Sequence, residues 1–358
     1  MLQEITIQDL QKIKDAVLLD VRSEAEYEED TIPGALNLPL FNNEERALIG
    51  TTYVQVSPAL AKEQGLAIAG PKLPMLYNQA VKLAKGRPLV LFCWRGGMRS
   101  KSLATVFSLM GLPVYRLQGG YKAYRQMVHS YFDQELPFKV VVLRGNTGVG
   151  KTEILKRLRE DGYPAVDLES LAKHRGSVFG SIGLDPAPSQ KAFESALYQR
   201  LKEIEHFPYI IVECESRRIG KINIPSEFYE AMKKGPQILV YDSIPNRVQR
   251  LIKEYTQYPN AIAEIKLALE RLTKILGHKK MALYNALLDE GKLEEFTEEM
   301  LKYYDGLYGY PNNYSEDYHY CLNYQDPEKG ISELEDYLDQ WSGICRKPAL
   351  SRILDSAK

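Results

Sequence analysis

The chain has 358 residues, of which 44% are hydrophobic and 26% are charged, and its formal net charge is −1 at pH 7. This length suits two domains, and the composition suits folded cores rather than a disordered or low-complexity chain. No apolar run approaches the roughly 20 residues that span a bilayer. The amphipathic, acidic N-terminus lacks the pattern of a signal peptide, so we expect a cytoplasmic protein without a membrane segment.

The first third of the chain alternates short apolar runs with helix-compatible segments. Strands are predicted over residues 17–21, 88–92 and 114–117, with a further short strand after the Pro-Gly turn within residues 31–38. Helices are predicted after the serine cap at Ser23, over residues 101–110, and from Gly119 to about residue 131. Because strands and helices alternate, we expect a parallel sheet that is covered on both faces.

The rest of the chain repeats this alternation and then becomes helical. Strands are predicted over residues 140–143, 165–168, 209–212 and 237–241, and helices over residues 153–160, 189–206 and 244–255. From residue 261 onward the pattern predicts helices, with a tyrosine-rich connector at residues 303–324. We therefore predict an α/β protein of two domains, residues 1–132 and residues 137–358. The second carries a helical C-terminal extension over about residues 261–358.

The segment KVVVLRGNTGVGKT contains the pattern G-x-x-x-x-G-K-[ST], formed by Gly145, Gly150, Lys151 and Thr152. An apolar strand precedes it and a helix follows it, which is the structural context that makes the pattern credible. Backbone N–H groups, including that of Gly148, would converge on phosphate oxygens, and the helix N-terminus and the lysine would add positive potential. The pattern predicts a phosphate-binding loop.

A second glycine loop, CWRGGMRS, begins at Cys93, where an apolar strand ends. Converging N–H groups, the N-terminus of the next helix, and the side chains of Arg95 and Arg99 all favour a reactive thiolate. The remaining cysteines lack such surroundings and form no C-x-x-C pair or zinc spacing, so we interpret them as packed free thiols. They are Cys214, Cys321 and Cys345.

Acidic and basic side chains follow the strand at residues 209–212. Glu213 stands where phosphate-loop proteins carry a carboxylate that holds magnesium or activates water, and Glu215 and Asp167 are further candidates. Arg217 and Arg218 lie just beyond and are candidates for binding diphosphate or an RNA backbone. Surface carboxylates and a solvated basic face remain the alternatives. The surrounding block, residues 137–289, carries 24 basic and 18 acidic side chains, a net charge of +6.

The segments LDVRSEAEYEEDTIPGALNLPL and FCWRGGMRS resemble a rhodanese domain over about residues 10–130. This resemblance implies that Cys93 carries sulfur or selenium. The loop departs from the usual pattern, because five residues separate Cys93 from Arg99 where most sulfurtransferases have four. Related dual-specificity phosphatases share the longer spacing, but they place a histidine before the cysteine, where this chain has Phe92. The longer loop suits a group larger than a sulfur atom, such as selenophosphate.

A rhodanese unit joined to a phosphate-loop unit, together with DLESLAKHRGSVFG and VECESRRIG, is similar to the tRNA 2-selenouridine synthase family. The resemblance implies a tRNA substrate and no tightly bound cofactor. The sulfur of wobble 2-thiouridine would be alkylated with geranyl diphosphate, and the S-geranyl group would then be displaced using selenophosphate. Magnesium is a candidate ion. His174, Arg175 and Ser177 lie in the matched motif and are candidate substrate-binding residues.

Two other functions fit the same motifs. One is a cysteine-based phosphatase or sulfurtransferase fused to a nucleotide-binding, kinase-like domain, although Phe92 argues against the phosphatase. The other is a degenerate rhodanese unit that regulates a nucleotide-binding partner, in which case Cys93 would be dispensable for activity.

Overall fold

The computed structural model describes residues 2–343. The chain divides into two compact units, one formed by residues 1–134 and 188–199 and the other by residues 135–187 and 200–358. Cys345 and the last part of the predicted helical extension lie outside the described residues. Among the described residues, no helix combines the length and the apolar character needed to cross a membrane.

The first unit is built on five parallel strands in the order β1-β5-β4-β2-β3. They are β1 (Gln3–Ile5), β2 (Val17–Asp20), β3 (Leu36–Asn37), β4 (Leu89–Phe92) and β5 (Val114–Leu117). All four residues of β4 are buried, because the sheet is covered on both faces. The predicted parallel sheet is confirmed.

Six helices and two short 3₁₀ turns surround this sheet. The helices are α1 (Glu24–Glu29), α2 (Asn43–Gln55), α3 (Pro58–Ala69), α4 (Leu73–Ala84), α5 (Met98–Leu109) and α6 (Gly120–Phe132), and the 3₁₀ turns are Leu10–Lys12 and Gly70–Lys72. Ser23 begins α1 with the predicted cap, a capping box with Glu26. Helices α2 to α4 were not predicted, and the chain signals them by caps at Asn42 and Ser57. Helix α5 begins three residues before the predicted start.

The turn before α6 holds the loop that follows β4. Gly120 has φ +55°, and a Cβ there would lie 2.1 Å from the carbonyl oxygen of Cys93. Tyr121 N donates to that carbonyl at 3.0 Å, and Lys122 N donates to the carbonyl of Trp94 at 2.8 Å. Only glycine allows the two backbones to approach so closely, so Gly120 fixes the position of the Cys93 loop.

The second unit contains another sheet of five parallel strands, in the order β12-β11-β6-β8-β7. They are β6 (Lys139–Arg144), β7 (Ala165–Val166), β8 (Tyr209–Glu213), β11 (Gln237–Tyr241) and β12 (Tyr320–Asn323). An antiparallel pair, β9 (Arg218–Ile219) and β10 (Ile222–Asn223), follows β8. The strand predicted over residues 165–168 is shorter than expected, because Asp167 already caps the next helix.

The helices of this part of the chain alternate with the strands and then form a C-terminal group. They are α7 (Lys151–Glu160), α8 (Leu168–Ala172), α9 (Gln190–Ile204), α10 (Ser226–Lys234), α11 (Ile244–Thr256), α12 (Ala261–Glu270), α13 (Thr273–Asp289), α14 (Leu293–Tyr308) and α15 (Pro327–Ser342). Helix α13 is interrupted at Gly277, which has φ +78°. The first residues of α9 belong to the first unit.

The C-terminal region is helical, as predicted, with one exception. Strand β12 lies within the predicted tyrosine-rich connector at residues 303–324 and pairs with β11, and this strand was not predicted. Its sequence, YCLN, has one fully buried residue, Leu322, and carries no apolar run. The predicted fold class, two parallel-sheet α/β units with a helical C-terminal region, is otherwise confirmed.

We predict that Gly120→Ala lowers the free energy of unfolding by about 2 kcal/mol or more, because the new Cβ would clash with the Cys93 carbonyl at an unfavourable φ. Gly70→Ala is the matched control, since Gly70 has helical φ −49° and open space around it. That control should change stability by no more than about 0.5 kcal/mol. Chemical denaturation of both variants checks the prediction, and equal stabilities would contradict it.

Candidate functional site

The phosphate loop between β6 and α7 is packed so closely that its glycines cannot be replaced freely. Gly145, Gly148 and Gly150 have φ values of +148°, +78° and +94°. A Cβ on Gly145 would lie 2.2 Å from the carbonyl oxygen of Val240, and one on Gly150 would lie 2.7 Å from the ring of Tyr324. The loop therefore takes the tight, glycine-dependent form that its sequence pattern predicts.

The lysine of the loop pattern bonds to the loop itself, and the threonine bonds to a neighbouring carboxyl group. Lys151 Nζ donates to the carbonyl oxygen of Gly145 at 2.8 Å and to that of Asn146 at 3.4 Å. Thr152 Oγ1 donates to Glu169 Oε2 at 3.2 Å. A lysine held by its own loop is positioned for an anion, because a phosphate oxygen is a stronger partner for an ammonium group than a carbonyl.

Two arginines of α11 hold the loop from outside. Arg247 is fully buried, and its Nε donates to the carbonyl oxygen of Thr147 at 2.9 Å. Arg250 Nη1 donates to the carbonyl oxygen of Gly148 at 2.5 Å, and its Nη2 donates to Asp242 at 3.0 Å. The sequence predicted a helix here but no role for these side chains. They bind loop carbonyls, and so they stabilise the loop conformation.

Four carboxyl groups gather beside the loop. Asp167 caps α8, Glu213 ends β8, and Glu213 Oε1 accepts a hydrogen bond from Glu169 N at 2.8 Å. Glu169 and Glu215 are hydrogen-bonded to each other through their side chains. The structure thus brings together the three predicted carboxylates and adds Glu169, which the sequence analysis missed. The available signal was its position two residues after Asp167, in the motif already quoted.

Burial changes the charge of this cluster. It raises the pKa of Asp167 and Glu169, and raises that of Glu213 well above its usual value. Burial and then the neighbouring Glu169 raise the pKa of Glu215 to about 9. Lys151 opposes the shift at Glu169 and Glu215. Because protonated carboxyl groups carry no charge, the cluster repels a phosphate group far less than four carboxylates would.

A metal ion beside the phosphate loop would need further ligands from outside the protein to complete its coordination shell. Within residues 2–343, no three or more His, Cys, Asp or Glu side chains are arranged to hold a metal ion. Glu213 Oε2 is nevertheless buried without a hydrogen-bond partner. The Thr152 hydroxyl bonds to Glu169, whose backbone N–H bonds to the other oxygen of Glu213. Magnesium prefers such oxygen donors and usually completes its shell with phosphate and water, so these residues fit it in part.

The motif around His174 packs against the cluster and against the β9–β10 hairpin. A Cβ on Gly176 would lie 2.9 Å from Glu215 Oε2, and one on Gly220 of the hairpin would lie 2.7 Å from the His174 ring. The His174 Nδ1 accepts from Gly176 N at 3.1 Å. Burial and then the charge of Arg175 lower the pKa of His174, which favours a neutral imidazole.

The other predicted substrate-binding residues differ in how many contacts their side chains already make within the protein. The Arg175 guanidinium forms an ion pair with Glu254 at 2.5 Å and lies over the Tyr255 ring at 5.2 Å, so it fastens its own segment. Ser177 Oγ accepts from Phe179 N at 3.2 Å. The exposed basic residues of the hairpin make local contacts only: Arg217 Nη2 with Ser226 Oγ at 2.9 Å and Arg218 Nε with the Gly220 carbonyl at 2.9 Å.

An apolar cavity begins at the phosphate loop. Thr147 of the loop and Ser177 lie on its wall, and none of the residues that line it within 2–343 is charged. The rest of the wall comes mainly from α11, α12 and α14 and includes Phe179, Leu251, Ile265, Phe296, Met300 and Tyr304. The sequence showed these residues only as helix positions. Their convergence forms an apolar pocket that includes one residue of the phosphate loop.

The thiol loop lies in the first unit, at the carboxyl end of β4. Cys93 is buried, and its Sγ lies 3.3 Å from the hydroxyl of Ser100. Arg99 forms two hydrogen bonds to Glu26, at 2.6 and 3.2 Å, whereas Arg95 is exposed. Part of the predicted cationic charge is therefore neutralised by Glu26. Ser100 and Glu26 were not among the predicted site residues, although Ser100 ends the quoted loop motif.

The comparisons with known proteins agree with both units. Residues 138–326 match the family model of the tRNA 2-selenouridine synthase AAA domain, and residues 6–127 match that of the rhodanese-like domain. The chain is similar to proteins named tRNA 2-selenouridine synthase. It is 36% identical over 247 residues to that of Nitrosomonas eutropha, covering 67% of this chain and 63% of the relative.

Two further relatives carry the same name. The chain is 36% identical over 251 residues to the protein from Pseudomonas syringae pv. syringae, covering 68% of this chain and 66% of the relative. It is 32% identical over 327 residues to the protein from Chromohalobacter salexigens, covering 82% and 87%. The matched region therefore spans slightly less than two thirds of the first two relatives and most of the third.

We predict that stability falls as pH rises from about 4.5 to about 9, because Glu215 has a pKa of about 9 in the folded protein and 4.5 as its ordinary value. In that range the folded state binds more protons than the unfolded state, so the free energy of unfolding falls as pH rises. For one group this fall is at most about 1.4 kcal/mol per pH unit. Glu215→Gln should flatten the curve. Urea denaturation at pH 5, 7 and 9 tests this. Glu227→Gln is the control, because Glu227 is exposed on α10. If the free energies of unfolding of the wild type and Glu215→Gln changed equally with pH, the prediction would be contradicted.

Proposed function

The chain belongs to the tRNA 2-selenouridine synthase family, and we propose that it converts 2-thiouridine at the wobble position of tRNA to 2-selenouridine. In the first step the thiocarbonyl sulfur is alkylated with geranyl diphosphate. In the second step selenium from selenophosphate replaces the S-geranyl group. Alkylation precedes replacement because a thiocarbonyl sulfur at C2 of a pyrimidine is a poor leaving group, and the thioether is a better one.

The observation that carries this proposal is the uncharged apolar cavity whose wall includes Thr147 of the phosphate loop. A prenyl diphosphate has an anionic head and a hydrocarbon tail, and the second unit offers a neighbouring site for each. The loop supports binding of the head through N–H groups and Lys151. Phe179, Phe296 and Met300 support binding of the tail, since each buried CH₂ contributes about 0.8 kcal/mol.

The alkylation exchanges one bond for another. The sulfur bonds to C1 of the geranyl group, the C1–O bond breaks, and diphosphate leaves while the proton on N3 of the base is released. Lys151 and the N–H groups of Gly148 and Gly150 stabilise the charge that develops on the diphosphate. Burial raises the pKa of the carboxyl groups around Glu215, which lowers their repulsion of the diphosphate. Thr152 and Glu213 would hold a magnesium ion that arrives with the diphosphate, and the ion would supply charge neutralisation at the leaving group.

The selenium step belongs to the thiol loop. Cys93 and the exposed Arg95 form a site with a nucleophilic sulfur and a free guanidinium, which supports binding of a selenium-bearing phosphate. In the completed exchange, the selenium of selenophosphate bonds to C2 of the base, the C2–S bond breaks, and geranylthiol leaves. Water then cleaves the Se–P bond, so that orthophosphate is released and N3 of the base regains its proton. The Glu26–Arg99 pair and Ser100 hold the loop around the thiol.

We predict that Lys151→Ala lowers the rate of geranylation by about 100-fold, as expected when a charged group facing the leaving group is lost. Cys93→Ser should leave geranylation unchanged and abolish selenium incorporation. The assay incubates each protein with an anticodon stem-loop RNA containing 2-thiouridine and geranyl diphosphate, then adds selenophosphate, and measures nucleosides by mass spectrometry. Lys156→Ala is the control, because Lys156 is exposed on the same helix. Equal loss of both steps in both variants would contradict the proposal.

We also predict that the protein binds geranyl diphosphate about 100-fold more tightly than inorganic diphosphate, because burial of the hydrocarbon tail adds binding free energy. ATP should bind more weakly than geranyl diphosphate, since its ribose and base are too polar for the cavity. Isothermal titration with each ligand measures these affinities. Tighter binding of ATP would favour the alternative of a nucleotide-binding, kinase-like domain.

A further inference from the structure

Three tyrosines form a ladder at the end of α14, and we propose that Tyr308 in this ladder stacks on the nucleobase that receives the geranyl group. The inference rests on the proposed function and deepens it, because it assigns a residue that holds the RNA base. Aromatic rings are the usual platforms for unstacked bases in single-stranded RNA and RNA loops.

The ladder has the geometry of a stacking platform. The rings of Tyr304 and Tyr308 are 6.1 Å apart between centroids and 15° from parallel, and those of Tyr308 and Tyr310 are 6.4 Å apart and 25° from parallel. At such separations parallel rings are offset and overlap only in part. Tyr308 is 47% exposed. Part of its ring is therefore accessible to another flat group.

A glycine makes the ladder possible. Gly309 ends α14 in the left-handed conformation, with φ +66°. The chain reverses there, and Tyr310 returns to stack beside Tyr308. The ladder is thus built by a specific helix end and is not a chance cluster within a tyrosine-rich segment.

The ladder extends from the apolar cavity to the phosphate loop. Its buried end, Tyr304, lines the cavity. At its other end, Asn146 of the phosphate loop donates from Nδ2 to the carbonyl oxygen of Tyr310 at 2.9 Å. Between them, burial and then the charges of Glu215 and Glu169 raise the pKa of Tyr308, so its ring lies near the carboxyl cluster. A base on Tyr308 would be next to the sites proposed for the tail and the head of geranyl diphosphate.

The surroundings favour an RNA base over a free small molecule. The His174 motif contacts the carboxyl cluster on one side and the β9–β10 hairpin on the other, and that hairpin exposes Arg217 and Arg218. These cations are available for the phosphate backbone that continues from a stacked base. Tyr310 is also fixed through its hydroxyl, which lies 3.1 Å from Arg144 Nη1 and 3.2 Å from the Sγ of Cys214. The platform is therefore rigid where it meets the loop.

The test compares variants of Tyr308 in the full-length protein. Tyr308→Ala should raise the KM of geranyl transfer for the 2-thiouridine stem-loop by about 10-fold to 100-fold, the range for loss of one base–aromatic stack. Tyr308→Phe should restore the KM to within about twofold, because the ring is kept. Tyr314→Ala is the matched control, since Tyr314 is 67% exposed in the same connector and belongs to no part of the site. Unchanged binding of geranyl diphosphate verifies that each variant is folded.

A second RNA separates this inference from the proposed function. With a stem-loop that lacks the wobble base, wild-type protein and Tyr308→Ala should bind equally, whereas with the intact base the wild type should bind about 10-fold or more tightly. Equal binding of the intact RNA by both proteins would overturn the platform. Absence of geranyl transfer by the wild type, with the base-dependent binding difference retained, would overturn the proposed reaction and leave the platform standing.

Discussion

The second unit depends on one buried cation. Arg247 is fully buried, and it binds the carbonyl of Thr147 together with the carboxylate of Asp305, at 2.6 and 2.9 Å. A buried guanidinium is stable only when it is fully paired, so the loop, α11 and α14 must meet at one point. That meeting point brings the apolar cavity and the tyrosine ladder to the phosphate loop. Asn312 joins the same network, with Oδ1 3.3 Å from Arg247 and 2.9 Å from Asn146 Nδ2.

The electrostatics of the loop follow from burial. Four carboxyl groups beside an anion site would be repulsive if they were ionised, yet desolvation raises the pKa of each. Burial therefore lowers the tendency of these carboxyl groups to carry the negative charge that the sequence suggests. Lys151 contributes the positive charge at the loop, and its bonds to loop carbonyls keep it in place before a ligand arrives.

The first unit holds a thiol group at the base of a short loop. Gly120 lets the following helix approach the carbonyl of Cys93, and the hydroxyl of Ser100 lies beside the sulfur. The pairing of Arg99 with Glu26 leaves Arg95 as the exposed cation of the loop. The two units thus divide the proposed chemistry between carbon–oxygen cleavage and chalcogen transfer.

The sequence by itself determined the features that are local along the chain. Apolar runs predicted the central strands β4, β6, β8 and β11, because a strand buried on both faces must be continuously apolar. The phosphate loop and the thiol loop could be predicted because their residues are contiguous, and most of their glycines have a positive φ. Strand β12 was not, since only Leu322 in it is fully buried and its pairing with β11 is a long-range contact.

Only the tertiary structure decided which distant side chains share a site. The apolar cavity joins Thr147 to Leu251 and Phe296, and no local pattern relates these three residues. Glu169 joined the carboxyl cluster through a backbone hydrogen bond to Glu213, and Arg247 met the loop through the packing of α11. Their pKa values and their accessibility depend on burial, which is a property of the packed chain. Local preference thus determined the elements, and long-range packing determined the environment in which their chemistry takes place.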